Sequence, residues 1–403
     1  MPWSLRMLMY ITLVAVALQF YVAIKASKAI TIIAGWSKRR ARITAAAVWG
    51  WIVLYPVAII GSYWFDIDGL SRSFQQSNLL LDALITYPYW VGVIMAFQAA
   101  MLLIVSDAIR LLLFPLYRKH KEQWLKWNAW IVVAVISVGT LYTAVRIYMD
   151  TFTVRMRETE LRIAGLPAEL DGLRIVQIAD LQADGRTTGS KIDRFIDEVN
   201  RLDADLILFG GDLVTSGLDH IETGARAFSR MKAKRGIYAC LGDHDYFSDS
   251  RLVTASLERN GVTVLNNTAT LVPIDSSFIT LTGLTNVYRT RPSDTALRTI
   301  EEQRPRGPVN ILLTHQPSRD IVKHAAENDY DLVTAGHTHG GQIVLPFPFF
   351  LLTPSSFETD YVSGFYRVGQ MMVSVTNGLG LTLAPVRYRA RAEVTLIVLR
   401  ASD

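Results

Sequence analysis

Four uncharged apolar runs crowd into the first third of this 403-residue chain, and they constrain its folding more than any other feature. They occupy residues 8–24, 44–64, 84–106 and 127–145. Each is ~17–23 residues long, the length a helix needs to cross a hydrocarbon layer about 30 Å thick. Aromatic residues mark the run ends: Trp36, Tyr63, Trp64, Tyr87, Tyr89, Trp90, Trp124 and Trp127. Amphipathic rings favour the membrane–water boundary, so this placement fits an interfacial belt. A soluble protein would have to bury four such helices in succession. All nine Trp residues fall between Trp3 and Trp130, and the composition changes sharply thereafter. The sequence therefore predicts a four-span transmembrane region over 1–150 and a separate soluble domain over 151–403. The first run is read as a span rather than a cleavable signal, because further spans follow it and no clean small-x-small site precedes a soluble segment.

Basic residues in short loops set orientation. The first loop carries Lys25, Lys28, Lys38, Arg39, Arg40 and Arg42. The third carries Arg110, Arg118, Lys119, Lys121 and Lys126 against Asp107 and Glu122, whereas the second has Asp66, Asp68 and Asp82 against Arg72. Loops one and three are thus expected in the cytoplasm. The chain is expected in the cell inner membrane, with everything after residue 150 extracytoplasmic, on the periplasmic side. Loops one and three hold eleven basic and two acidic residues in a chain of net charge +5, so the remainder is net negative. The basic character reports topology, and no surplus is left for a nucleic-acid partner. The single Cys240 allows no internal disulfide. No ionisable residue lies inside the runs, which speaks against an ion pathway through them.

After residue 148 the pattern becomes β-branched runs alternating with polar stretches, as in α/β architecture. The expected strands are 174–179, 206–209, 237–241, 278–281, 311–314, 332–334, 372–375 and 394–399, and 189–202 and 251–260 have helical character. Asp and His cluster just past these strands. Asp180 follows the first and Gly210-Gly211-Asp212 the second. Gly242-Asp243-His244-Asp245 follows the third, His315 the fifth, and Gly336-His337-Thr338-His339-Gly340-Gly341 the sixth. The carboxyl ends of strands are where α/β sheets gather ligand-binding groups. Taken singly, a Gly-Asp pair is a turn and a lone His is a structural residue. The conjunction at five strand ends, in order, is specific, and it uses four of the seven His; His120, His220 and His324 stand outside it.

In order, ADLQ, GGDLV, LGDHDYF, LLTHQP and AGHTHGGQI, over roughly residues 171–345, resemble the calcineurin-like metallophosphoesterase superfamily. Its signature runs Asp-x-His, Gly-Asp, Gly-Asn-His-Asp or -Glu, a lone His, and Gly-His-x-His. Asn377-Gly378-Leu379-Gly380 and Pro385-Val386-Arg387 look like the membrane-associated branch, transmembrane proteins with a metallophosphoesterase domain. The resemblance implies a four-layer α/β/β/α sandwich after the four-helix transmembrane region. It also implies a two-metal phosphoester hydrolase: a phosphodiesterase, phosphatase or pyrophosphatase. Two divalent ions acidify a water and clamp the phosphoryl oxygens. In the roles it implies, Asp212 bridges the metals, Asp180 and His339 hold the first, and Asp243, His315 and His337 hold the second. His244 would face the substrate, either protonating the leaving oxygen or steadying developing charge. Asp245 would orient its imidazole.

Two positions depart from the signature. Gln182 stands where the family has a ligating His, and offers an amide oxygen, a harder and weaker ligand. This favours Mn for the two ions, with Mg, Fe or Zn as alternatives; Asp184 is a candidate substitute. Asp243 replaces the usual Asn, adding a charge that tightens the second metal. The rival reading is a catalytically weakened or inactive fold kept as a binding or scaffold module in the membrane. Gln182 and Asp243 favour it; the retained Asp212, His244, His337 and His339 favour activity. Finally, residues 345–354 form an apolar, proline-interrupted loop that includes Phe349 and Phe350. It either folds back as core or meets acyl chains. In the second case the expected partners are the lipid bilayer and a lipid-linked phosphoester.

Overall fold

The computed structural model describes residues 3–402 except 68, 70–72, 75, 348 and 349. It divides into two compact units, one of residues 1–149 with 345–351, the other of 150–344 with 352–403.

Among the described residues, the helical unit holds three helices of spanning length and apolarity, Leu5–Ala34, Leu79–Leu112 and Phe114–Phe152, and one bent pair, Lys38–Ile52 with Leu54–Trp64. A single span over 44–64 was the expectation, and the pair that covers it bends by 50° at its break. Pro56 accounts for this. It has no N–H for the Ile52 carbonyl, and its ring crowds that group. Small residues let the helices approach: Ala96, Ala99 and Ala100 pack on Val22, and Ala29 packs with Leu103, Ala129 and Val132. Outward positions stay apolar, with Leu13, Leu102 and Leu141 each more than half exposed.

The helices outrun the apolar runs and so take in charged residues just beyond them. Lys25 and Asp107 directly follow the first and third runs, and they form an ion pair. Tyr21 Oη donates to Asp107 Oδ2 at 3.0 Å. This contact brings the ends of the first and third apolar runs to one level. Of the second-loop charges, Asp68 and Arg72 lie outside the described residues.

The second unit is built on two six-stranded sheets. In chain order the strands are β1 (Val154–Ala164), β2 (Arg174–Ile178), β3 (Leu206–Phe209), β4 (Ile237–Ala239), β5 (Val262–Val264), β6 (Thr268–Ile274), β7 (Ser277–Leu284), β8 (Asn310–Thr314) and β9 (Leu332–Ala335). The short β10 (Leu345–Pro346) and β11 (Leu351–Leu352) precede β12 (Gly364–Val368), β13 (Met371–Val375) and β14 (Ala392–Ser402). One sheet runs β1-β14-β2-β3-β4-β5 and the other β12-β13-β9-β8-β7-β6. Their shared core includes Leu161, Ile175, Leu206, Leu208, Ile279, Leu281, Ile311, Leu313 and Ile397. Helices Ser190–Asn200, Ile221–Phe228 and Ser250–Arg259 cover the outer face of the first sheet. Asp294–Gln303 and Arg319–Glu327 cover that of the second. The result is the four-layer α/β/β/α sandwich.

β2, β3, β4 and β5 run parallel, as do β7, β8, β9 and β13. Their carboxyl ends therefore deliver loops in common directions, and this places the site.

Candidate metal centre

The five motif loops leave β2, β3 and β4 of one sheet and β8 and β9 of the other, and they converge. Asp180, Asp212 and His315 each offer a ligand atom within 4.8 Å of the others, and so do Asp243, His315 and His337. His315 belongs to both groups. Its Nε2 lies 3.4 Å from Asp212 Oδ2 and 3.4 Å from Asp243 Oδ2. His337 Nδ1 is 3.0 Å from Asp243 Oδ2. His339 stands at the margin of the first group, its Nε2 3.5 Å from Asp180 Oδ1.

The backbone is strained where these side chains are aimed. Asp180, Gln182, Asp212, His337 and His339 all have positive φ, between 48° and 70°. Such conformations cost ~1–3 kcal/mol each and persist only where the surroundings enforce them. Close approach is enforced too. A Cβ on Gly242 would sit 2.2 Å from Asp212 Oδ1, so only glycine lets that loop pass the carboxylate.

The donor set fits divalent cations. His315 Nδ1 meets the Gly210 carbonyl at 2.6 Å. A carbonyl only accepts, so Nδ1 carries a proton, and Nε2 is the nitrogen that faces the two carboxylates and is placed to ligate. That buried Nε2 has no hydrogen-bond partner, and neither does the buried Oε1 of Gln182. Gln182 Nε2 donates to Asp212 Oδ2 at 2.8 Å, which leaves its amide oxygen as the group free to ligate. Burial, with Asp212 adding, pushes the Asp180 carboxyl up to about 7 against the pull of His315. Asp212 itself falls to about 2, because His315 and His244 outweigh its burial. His339 is held neutral, well below the imidazole range, by burial and by the Arg387 guanidinium. Acceptors facing acceptors in a dry site are what cations relieve.

Asp245 does not orient His244. Its Oδ2 accepts from the amides of Gly242 (2.8 Å) and Asp212 (2.9 Å), and its Oδ1 from that of Leu213 (2.8 Å). The two residues are neighbours on the short helix Asp243–Ser248, where side chains one apart diverge. Asp245 instead anchors the turn that presents Asp212. The His244 ring is oriented by the Thr215 carbonyl at Nδ1, and its Nε2 lies 4.0 Å from Asp212 Oδ2. Asp184 is no substitute ligand either: it caps the amides of Arg186 and Thr187 and accepts from the Thr215 hydroxyl.

Residues 173–341 match the calcineurin-like phosphoesterase family. The chain is 31% identical over 284 residues to the transmembrane protein with metallophosphoesterase domain of Danio rerio, covering 68% of this chain and 62% of that one. The match thus spans less than two thirds of that relative. Similarity extends to the Bacillus subtilis metallophosphoesterase YkuE, 28% identical over 71% of this chain and 99% of that one. It extends also to the Escherichia coli phosphodiesterase YaeI, 29% identical over 48% of this chain and 70% of that one.

This chain belongs to the calcineurin-like metallophosphoesterases.

The metallophosphoesterase site uses further residues outside the motif clusters. Tyr288 N donates to Asp243 Oδ1 at 2.6 Å, and Gln316 Nε2 to Asp243 Oδ2 at 2.7 Å. Glu358 and Tyr288 both meet His337. Arg387 is fully buried and donates to the carbonyls of His339, Asn377, Gly378, Gly380 and Ala390. Its own amide donates to Thr151 Oγ1 at 2.9 Å, and Asp150 accepts from Arg389 N at 2.6 Å. The residues at 150 and 151 therefore help hold the loop that backs His339. Of these groups only Gln316, in LLTHQP, and Arg387, in Pro385-Val386-Arg387, lay in motifs the sequence offered.

Proposed function

We propose that the chain is a membrane-anchored two-metal phosphoester hydrolase, residues 1–150 serving as anchor and 151–403 as catalytic domain. The observation that carries this is the pair of overlapping acceptor groups that share His315, lined by two orphaned buried atoms. Asp180, Gln182, Asp212 and His339 would hold the first cation. Asp212, Asp243, His315 and His337 would hold the second. When bound, the ions would supply Lewis acidity toward the phosphoryl group and acidify a water. His244 supplies the proton. With Nδ1–H given to the Thr215 carbonyl, its partly exposed Nε2 is free to hand a proton to a departing oxygen and to regain one from solvent. Asp245 keeps Asp212 in register through the backbone.

The proposed orientation places the catalytic domain outside the cytoplasm. The Lys25–Asp107 pair supports placing the first and third loops on one side, and their basic residues favour the inner face. A lipid-linked substrate follows from the apolar loop. Phe347 stacks on Phe350 at 4.6 Å and packs edge-on against Phe97 of the helical unit, while Phe350 and Leu351 remain more than half exposed. Phe349 lies outside the described residues.

The test is hydrolysis of a chromogenic phosphodiester by the detergent-purified full chain with Mn. We expect turnover that disappears in His315→Ala. A folded, Mn-saturated protein with no turnover on phosphodiester, phosphomonoester or pyrophosphate would favour the binding-module reading. Phe350→Ser should slow hydrolysis of a lipid phosphoester while sparing the soluble one. A reporter fused at the carboxyl terminus should be active only outside the cytoplasm.

A further inference from the structure

Two imidazoles of the second cation position face the same requirement and meet it differently. A ligating His must present a lone pair on one ring nitrogen, so the other must carry the proton and give it away. For His315 the acceptor is the rigid Gly210 carbonyl. For His337 it is a side chain: Glu358 Oε2 lies 3.1 Å from Nε2, on the far side of the ring from the Nδ1 that meets Asp243 at 3.0 Å. Tyr288 Oη sits 3.3 Å from the same Nε2. The carboxylate carries no proton, so Nε2–H must donate to it. That makes Nδ1, which faces Asp243 Oδ2, the nitrogen that would present a lone pair once a cation displaces its proton.

We propose that Glu358 is the positioning residue of His337, fixing the tautomer and ring orientation that the second cation position needs; this rests on the two-metal reading above. Glu358 is about half exposed (48%), and an exposed ion pair by itself contributes little stability. Its surroundings show that it is held for another purpose. Its flanks are clamped from both sides. Ser355 Oγ donates to the Thr338 carbonyl at 3.0 Å, inside the His-Thr-His motif. Thr359 Oγ1 donates to the Pro317 carbonyl at 2.6 Å, and Asp360 takes both prongs of Arg319 at 2.6 and 2.8 Å. The Glu358 segment is thus tied to the loops that carry His337 and follow His315. Because the acceptor is a side chain on the rim, it is replaceable without touching a ligand.

The experiment is calorimetric titration of the metal-free full chain in detergent with MnCl2, for wild type, Glu358→Ala, Glu358→Gln and His315→Ala. Thermal melting of each metal-free protein reports folding. Loss of an outer partner of a ligating His typically costs ~10–100-fold in metal affinity, and we expect a loss of that size in Glu358→Ala at an unchanged melting temperature. Glu358→Gln keeps an acceptor oxygen and should recover most of the affinity, which a merely structural role would not predict. It also serves if the alanine variant does not fold. Wild-type Mn affinity in either folded Glu358→Ala or, where that variant fails to fold, a Glu358→Gln as weak as His315→Ala would overturn the proposal while leaving the two-metal reading intact. No Mn binding by the wild type would overturn both.

Discussion

The two halves of the metal centre are built to different standards. On the second side, Asp243 is charged, anchored by Tyr288 N and Gln316, and flanked by two imidazoles whose far nitrogens are both occupied by acceptors. On the first side, a neutral Gln182 spends its amide protons on Asp212. His339 turns its Nδ1 toward the Arg387 guanidinium at 3.4 Å, which disfavours charge on the ring. The lesson is that tight cation binding depends on the acceptors behind the ligands as much as on the ligands themselves. The second group has the more complete set of partners behind its side chains, and the first has fewer.

The comparison breaks most directly through the turn the halves share. Asp245→Ala leaves three backbone amides without their acceptor. At about 1–3 kcal/mol per buried unpaired group, the domain should lose roughly 3–9 kcal/mol, readable as a lowered melting temperature with and without Mn. A null effect on folding would remove Asp245 from the scaffold. Gln182→His sharpens the contrast next. It should tighten the weaker Mn site by about tenfold or more, the scale on which ligand surroundings act, and raise the preference for Zn. If the tighter site changes instead, the two halves have been assigned the wrong way round.

A smaller effect is the pH dependence of the metal-free protein. Burial raises Asp180 to about 7 and Asp245 to about 6. Burial alone would lower His337, but hydrogen bonding to Asp243 and Glu358 raises it to about 9. Groups raised in the folded state stabilise it fully below their unfolded pKa and lose that contribution as pH climbs through the folded value. The melting temperature should therefore fall between pH 5 and 9 without metal. Mn, which binds the deprotonated ligands, should flatten or reverse the slope. A metal-free melting temperature that rises across this range would contradict the assigned electrostatics. Smallest of all, the thiol of Cys240 is buried and pushed up to about 12, so a thiol reagent should label it only after unfolding.

What the sequence made legible follows from physics. The apolar runs declared themselves by length, and the strand ends by β-branched runs that stop at Asp, Gly and His. β1 escaped notice because its charges alternate along an edge strand, where only Leu161 is buried and solvent tolerates the rest. The bend at Pro56 was not drawn from the sequence, although a proline inside a helical run carries that signal. Asp245 was misassigned because adjacency in sequence suggests a pair, whereas a helix turns neighbouring side chains apart. Glu358 and Tyr288 were invisible: each reaches His337 from a loop whose position depends on packing between distant segments. Arg387 belonged to a visible motif, but its role as collector of five carbonyls is a property of the folded loops alone.

The most direct test of the account is the number and inequality of Mn ions bound by the full chain. Calorimetric titration together with elemental analysis should show two sites of unequal affinity in wild type, loss of the tighter one in His315→Ala, and loss of both in Asp212→Ala, since Asp212 is the one residue assigned to both cations. A single site in wild type, or a pair that survives removal of Asp212, would contradict the shared two-metal centre.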